Sequence, residues 1–343
     1  MNPKASSTFN LFSIRQEETV FDMIDRENSF LLRNNWKDWN REECAGNPFH
    51  LSATLASGQS FRWQQDTSGV WWGTVDATVI AIRQAEADPG SPLFWQTFPE
   101  PNQRALIRDY FRLDVDLPRL YADWIAAEPQ MEAAIAAFRG LRILRQPPVE
   151  CFFAFQCATC NTVIKIERSV RKLAQRYGAL LPLPSGQPYP FSAPFHAFPT
   201  ITALAEADEK ALRADLWGYR APRVIALARH LQTLPADWLL SLRARPTAEV
   251  QAELVALHGI GAKIADCISL FALDKDEVAP IDTHTRQIAI RLFRPDLADA
   301  SLTPRIYTAL RDEYHTRFGA YAGWAQQYLF FAELRRASDY LQT

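Results

Sequence analysis

Cysteine is scarce in this chain, with five in 343 residues, an odd number at no regular spacing. That excludes a disulfide-stapled scaffold and points to reduced thiols. Long apolar runs are missing as well: no stretch approaches the roughly 18 to 20 residues that span a bilayer. The first twenty residues, MNPKASSTFNLFSIRQEETV, lack the apolar core and small-residue cleavage site of a secretory signal. The expectation is a cytosolic protein with no membrane partner. An excess of charge of either sign is also absent, because 37 basic residues face 39 acidic ones for a net charge of -2. Binding to phosphate through whole-molecule charge is thereby excluded, and any nucleic-acid surface must be local. What is present is ordinary globular composition, 48% hydrophobic and 12% aromatic, which rules out wholesale disorder. At roughly 150 residues per domain the length suggests about two domains.

Along the chain, residues 1 to 46 match no element pattern and read as an extension of unknown role. From Pro48 to about Gln84, Phe61, Trp63, Trp71, Val75, Val79, Ile80 and Ile82 fall in short runs broken by Gly58, Gly69, Gly73 and the Asp76-Ala77 turn, which predicts antiparallel strands. From about Glu100 the period lengthens to that of amphipathic helices, as in Met131, Ile135 and Phe138. Leu181 to Pro199 holds six of the 22 prolines and reads as a long connection between helical blocks. The expected architecture is α+β: a small antiparallel β-rich domain over 47–140 ending in linking helices, then an all-α body over 141–343.

The stretch LVALHGIGAKIADCISLFALDKDEVAPIDTH, Leu254 to His284, carries the most chemistry. Two amphipathic helices flank His258-Gly259-Ile260-Gly261 and form a helix-hairpin-helix. Glycines at alternate positions admit positive φ and remove Cβ atoms, so main-chain N–H groups can approach a phosphate. Taken alone, Gly-x-Gly is equally a tight turn. Lys263 and Cys267, four apart, share one helix face. Asp282 follows Pro280, which ends the preceding segment, and suits the N-cap of the next helix. As isolated features, these too have plain structural readings.

Taken together the residues resemble the helix-hairpin-helix DNA glycosylases, and within them the 8-oxoguanine DNA glycosylase/AP lyase branch, which has a lysine where Lys263 stands. Four further blocks resemble that branch in matching order: SGQSFRW at Ser57 to Trp63, RGLRILRQPPVECFFAFQC at Arg139 to Cys157, LWGYRAPRV at Leu216 to Val224 and YAGWAQQYLF at Tyr321 to Phe330. The resemblance covers roughly residues 48 to 337. It implies double-stranded DNA containing oxidised guanine as partner, a monomer, no cofactor and no metal. It also implies a location with the genome, the nucleoid if bacterial and the nucleus if eukaryotic. Lys263 would attack the deoxyribose C1′, with Asp282 stabilising the developing positive charge. Cys267 and Phe330 would sandwich the extruded base, Gln326 would read its Watson-Crick edge, and the Gly58 carbonyl would accept its N7 proton. Gly259, Gly261, His284, Asn161 and Lys165 would contact DNA, with Tyr219 and Arg220 wedging the duplex and reading the orphaned partner base.

Lysine at its ordinary pKa is neutral in only about one molecule in a few thousand at pH 7, so the mechanism asks for an amine kept uncharged by burial or cationic neighbours. A local basic face is also expected. Between Arg139 and Arg176 eight basic residues (Arg139, Arg142, Arg145, Lys165, Arg168, Arg171, Lys172, Arg176) face Glu150 and Glu167, a local charge of +6. About half of these are expected to be ordinary solvated charges.

The sequence departs from the branch in places. Only Asn161 remains of an asparagine run, Lys165 and Glu333 stand where an arginine and an aspartate are expected, and His258 replaces a hairpin proline. A lysine cannot reproduce the forked hydrogen bonds of arginine, so a flatter opposite-base profile is expected. Cys157-x2-Cys160 has no second pair to complete a zinc site, and too few cysteines follow for the iron-sulfur cluster of the endonuclease III branch. Two other readings stay open: a non-catalytic helix-hairpin-helix DNA-binding protein, and a monofunctional alkylated-base glycosylase, against which Lys263 counts.

Overall fold

A computed structural model describes residues 39–158 and 161–342, with side chains through 335. Most of the 1–46 extension and Cys160 lie outside the described residues.

Five strands form one antiparallel sheet in the order β1-β5-β4-β3-β2: β1 (Asn40–Glu42), β2 (Gln64–Gln65), β3 (Trp71–Val75), β4 (Thr78–Gln84) and β5 (Leu93–Phe98). β3 and β4 meet at the expected Asp76-Ala77 turn, where Asp76 takes φ +50° and Val75 pairs with Thr78. Successive side chains alternate between two faces, and both faces are covered. Trp71, Val75, Ile80 and Ile82 pack with Phe49, Trp63, Phe111 and Leu144, while Trp72, Val79 and Ala81 pack with Phe98 and Leu181. A sheet buried on both sides explains apolar runs that do not alternate with polar residues. Gly73 is required where it stands, because a Cβ there would lie 2.4 Å from Trp63 Cδ2.

Three details correct the sequence expectation. β1 lies inside the 1–46 extension and pairs with β5, so the sheet begins before residue 47. β5 lies beyond the expected strand run, and although its burial alternates from Leu93 to Thr97, the letters LFWQTF do not. The expected strand run also contains a short helix, α1 (Leu51–Leu55), whose N-cap His50 accepts a hydrogen bond at Nδ1 from Ala53 N at 3.2 Å.

The rest is helical: α2 (Arg104–Tyr110), α3 (Leu117–Ala127), α4 (Met131–Ala137), α5 (Pro148–Gln156), α6 (Val163–Tyr177), α7 (Ile201–Ala205), α8 (Ala221–Leu231), α9 (Thr247–Ala256), α10 (Ala262–Ala272), α11 (Thr283–Leu292), α12 (Pro304–Phe318) and α13 (Ala322–Gln342), with shorter turns between them. The proline-rich connection is more ordered than expected. It forms a two-stranded hairpin, β6 (Leu180–Leu181) with β7 (Phe195–His196), and Phe195 stacks 5.9 Å from Trp72 on the outer face of the sheet.

α10 is the central helix, buried from Ile264 to Ala272 and packed on α5 and α9; α13 runs across α4, α11 and α12. The sheet and the helical body meet at Arg142, fully buried and without a carboxylate partner among the described residues. Its guanidinium donates to the carbonyls of Arg112 (2.6 Å), Val115 and Pro48 and to Asn47 Oδ1 (2.8 Å). Among the described residues no helix is long and apolar enough to cross a membrane.

Candidate active site

The hairpin between α9 and α10 folds as its glycines require, although they serve different ends. Gly259 takes φ +82° against the Arg223 guanidinium, where a Cβ would lie 2.5 Å from Nε. Gly261 has an ordinary negative φ of -90°, contrary to the sequence expectation, and caps α10 with open space around its Cα. Its missing Cβ therefore leaves the first N–H groups of α10 accessible rather than permitting a rare backbone conformation.

In the first turn of α10, Lys263 points into a cavity of about 290 Å³, near the lower end of the roughly 300–1,000 Å³ usual for ligand sites. Gly58, Asn161, Cys267, Asp282, His284, Gln326 and Phe330 line the same cavity, so the structure brings together residues from five separate stretches of chain. Asp282 is the N-cap of α11, and its Oδ1 accepts a hydrogen bond from Thr285 N at 2.7 Å. Its second oxygen makes no hydrogen bond among the described residues. Phe330 meets the His284 ring edge-on at 6.1 Å between centroids. Gly58, at φ +72°, turns the chain at the cavity wall.

Burial and neighbouring charge act on Lys263 in opposite senses. A Cys267 thiolate raises its pKa most, burial opposes this, and Asp282 adds to the rise. Burial meanwhile pushes the Cys267 thiol up to about 11, so it is a neutral thiol at pH 7. At pH 7 the charge of a Cys267 thiolate is therefore not there to hold the Lys263 proton, and the opposing effects of burial and Asp282 remain. Lys263 Nζ lies 5.9 Å from the centroid of Phe155.

Two residues that sequence reasoning missed, Thr285 and Gln327, hold Gln326 at the polar end of the cavity. Gln326 is 1% exposed and donates from Nε2 to Thr285 Oγ1 at 2.7 Å, while its Oε1 accepts from Gln327 Nε2 at 2.6 Å. Gln327 stands in a quoted block, but nothing in the letters marks it.

Half of the eight basic residues of the Arg139 to Arg176 stretch are spent on structure. Arg142 is buried, Arg145 is held by Asp274 (2.6 Å) and Asp109 (2.5 Å), and Lys172 and Arg176 pair with Asp215 at 3.6 and 2.5 Å. Lys165 and Arg168, on α6, are exposed, and Lys165 stands one turn beyond Asn161. Asn161 accepts from Thr162 N at 3.1 Å. Glu333 forms a two-pronged ion pair with Arg291 at 2.7 and 3.0 Å. The segment before α8 is bent, with Leu216 at φ +74° and Gly218 at φ +50°, and it thrusts Tyr219 out to 58% exposure. Arg220 does not project with it. It is buried, its guanidinium 4.4 Å from the Tyr219 ring centroid, so in this conformation it supports the exposed ring.

A five-stranded sheet fused to a helical body, with a lysine just past a glycine hairpin and a capping aspartate at one cavity, defines the helix-hairpin-helix base-excision class. Two family profiles match the chain: "8-oxoguanine DNA glycosylase, N-terminal domain" over residues 42–152 and "HhH-GPD superfamily base excision DNA repair protein" over 159–307. The chain is 34% identical over 298 residues to the N-glycosylase/DNA lyase OGG1 of Arabidopsis thaliana, covering 85% of this chain and 80% of that one. It is 30% identical over 326 residues to the N-glycosylase/DNA lyase of Saccharomyces cerevisiae, covering 83% of each. Its fold matches the crystal structure of Clostridium acetobutylicum 8-oxoguanine glycosylase/lyase in complex with double-stranded DNA containing cytosine opposite 8-oxoguanine, with a TM-score of 0.72 at 24% identity over 84% of this chain and 93% of that one. The chain belongs to the 8-oxoguanine DNA glycosylase family of N-glycosylase/DNA lyases.

Proposed function

We propose that this protein, acting as a monomer on genomic DNA in the nucleoid or nucleus, removes 8-oxoguanine from the duplex and then cleaves the strand. The observation that carries this is the convergence of Lys263 and Asp282, from different helices, on one cavity walled by Gly58, Cys267, Gln326 and Phe330. A module that only gripped DNA through its hairpin would need no such cavity.

A stacked base is out of reach of any side chain, so the target nucleotide must be extruded. The exposed Tyr219 ring suits the role of wedge. Asn161 and Lys165, at the cavity mouth and beside it, suit the gap and the partner strand. Gly259, Gly261 and His284 would hold the backbone through exposed N–H groups and a ring near the α11 N-terminus. Within the cavity Phe330 and Cys267 would stack on the two faces of the purine, and Gln326 would read its edge. The Gly58 carbonyl would accept the N7–H that 8-oxoguanine has and guanine lacks. Setting that carbonyl against guanine N7 leaves two acceptors facing, a penalty of about 1–3 kcal/mol.

Arrival of the base removes water from around Lys263, and its proton passes by way of Asp282 to the departing base, which leaves the carboxylate anionic. Nζ then bonds to C1′ as the glycosidic bond breaks, and the base leaves protonated. The sugar ring opens to a Schiff base, from which loss of a C2′ proton expels the 3′ phosphate. Anionic Asp282 stabilises the positive charge that develops on the sugar.

The test is excision from duplexes with 8-oxoguanine opposite each of the four bases. Cleavage of all four, with a shallow preference, is expected, because Lys165 offers a point charge where a forked donor would select cytosine. A cytosine-only profile would remove the role of Lys165, and no excision from any duplex would remove the substrate assignment.

A further inference from the structure

A second cavity, of about 350 Å³, lies between the sheet, α6 and the β6–β7 hairpin, with no residue in common with the base pocket. Its polar lining includes Arg62, Gln64, Thr74, Arg171, Gln175 and Ser192. None of its lining residues is an aspartate or glutamate.

Arg62 is buried, and its charge is answered behind the cavity by Glu150 at 2.9 Å; it also donates to the His196 carbonyl, which ties the hairpin to the sheet. Arg171 differs. Among the described residues it makes no hydrogen bond and no ion pair, and Glu167, one turn back on α6, acts on it only through space. Thr74, on β3, is 4% exposed, and its Oγ1 is buried without a hydrogen-bond partner among the described residues. A buried hydroxyl left unpaired is unfavourable, so a concave site that combines one with an unanswered guanidinium lacks an acceptor-rich occupant. An anion with several oxygens satisfies both at once, and a phosphate group suits the planar fork of arginine.

We propose that this cavity binds a phosphate group, held by Arg171 and Thr74 with the amides of Gln64 and Gln175 beside them. Two sources share that chemistry. A free nucleotide fits a cavity of this volume. A backbone phosphate is the other, because Arg171 stands six residues, or about 9 Å along the helix, from Lys165 on the same α6.

The experiment uses the full chain. Calorimetric titrations with inorganic phosphate, dGMP and deoxyguanosine are run on the natural protein, on Arg171→Gln and on Gln175→Glu, an exposed position where an added carboxylate repels an anion without disturbing the core. Duplex affinity is measured over a salt series for the same three proteins, and unfolding midpoints establish that each variant is folded. If a free nucleotide is the occupant, dGMP binds more tightly than deoxyguanosine, and both variants weaken it about ten-fold or more. If the backbone is the source, dGMP binding is absent and the slope of log affinity against log salt falls by about one in Arg171→Gln. Unchanged dGMP and phosphate binding together with an unchanged salt slope in both variants overturns the proposal.

Discussion

At the N-terminal end of α10, Lys263 faces an open cavity beside a neutral thiol and the half-satisfied carboxylate of Asp282. Past its C-terminal end, Asp274 and Asp276 are wrapped by guanidinium groups. Arg145 grips Asp274 with two hydrogen bonds, at 2.8 and 2.6 Å. Arg112 grips Asp276 with two more, at 3.1 and 2.7 Å, and Trp324 Nε1 adds a third at 3.0 Å. Both ends hold charges out of bulk water, but only the distal end is saturated. Saturated pairs fix the join between sheet and helices; an under-satisfied pair at a cavity is poised to accept bonds from something that arrives.

The comparison can be broken at either end. The largest effect is expected from Lys263→Gln, which keeps the length of the side chain and removes the amine: excision should fall on the order of 10³-fold or more while the unfolding midpoint stays within a few degrees. At the distal end the effects should exchange. Asp276→Ala leaves the buried Arg112 with only Asp274, at 3.9 Å, and should lose about 3 kcal/mol of stability in urea titrations, with the excision rate of the folded fraction unchanged. Loss of activity without loss of stability there would erase the distinction between the two ends.

Asp266, midway along α10, sharpens it. This carboxyl is buried, accepts from Tyr307 at 2.7 Å and Gln251 at 2.7 Å, and is pushed up to about 6, chiefly by burial. The folded state thus binds its proton more tightly than the unfolded chain does. Stability is then fully present below the ordinary aspartate range and declines as pH rises through about 6, by on the order of 2–3 kcal/mol. Asp266→Asn should flatten that decline in denaturation curves taken between pH 4 and 7. The smallest effect is expected from Gln327→Ala, which frees Gln326 Oε1 from its neighbour. A fall of about five-fold in kcat/KM, on the scale of one hydrogen bond, would assign it a positioning role, and no fall would assign it to packing alone.

Much of the site was legible in the letters because it is written in local strings. Gly259 to Lys263, Asp282 to His284 and Gln326 to Phe330 each occupy a few consecutive residues whose spacing fixes which helix face they share. The sheet was half legible for the same reason. The Asp76-Ala77 turn announces β3 and β4, whereas β1 is three residues long and becomes a strand only because β5 lies beside it. The basic stretch misled because charge in a sequence carries no partner. Arg142, Arg145, Lys172 and Arg176 read as surface until Asp109, Asp215, Asp274 and a set of carbonyls close on them from up to 129 residues away. The surroundings of Lys263 were likewise illegible, since the letters do not say how closely Cys267 and Asp282 approach it or how far it is buried.

The most direct test of the Lys263 chemistry is borohydride reduction during turnover of an 8-oxoguanine duplex, followed by digestion and mass spectrometry of the covalent protein-DNA adduct. The adduct should map to Lys263 and be absent from Lys263→Gln. An adduct of undiminished yield in that variant, or one mapped to another lysine in the natural protein, would contradict the assignment.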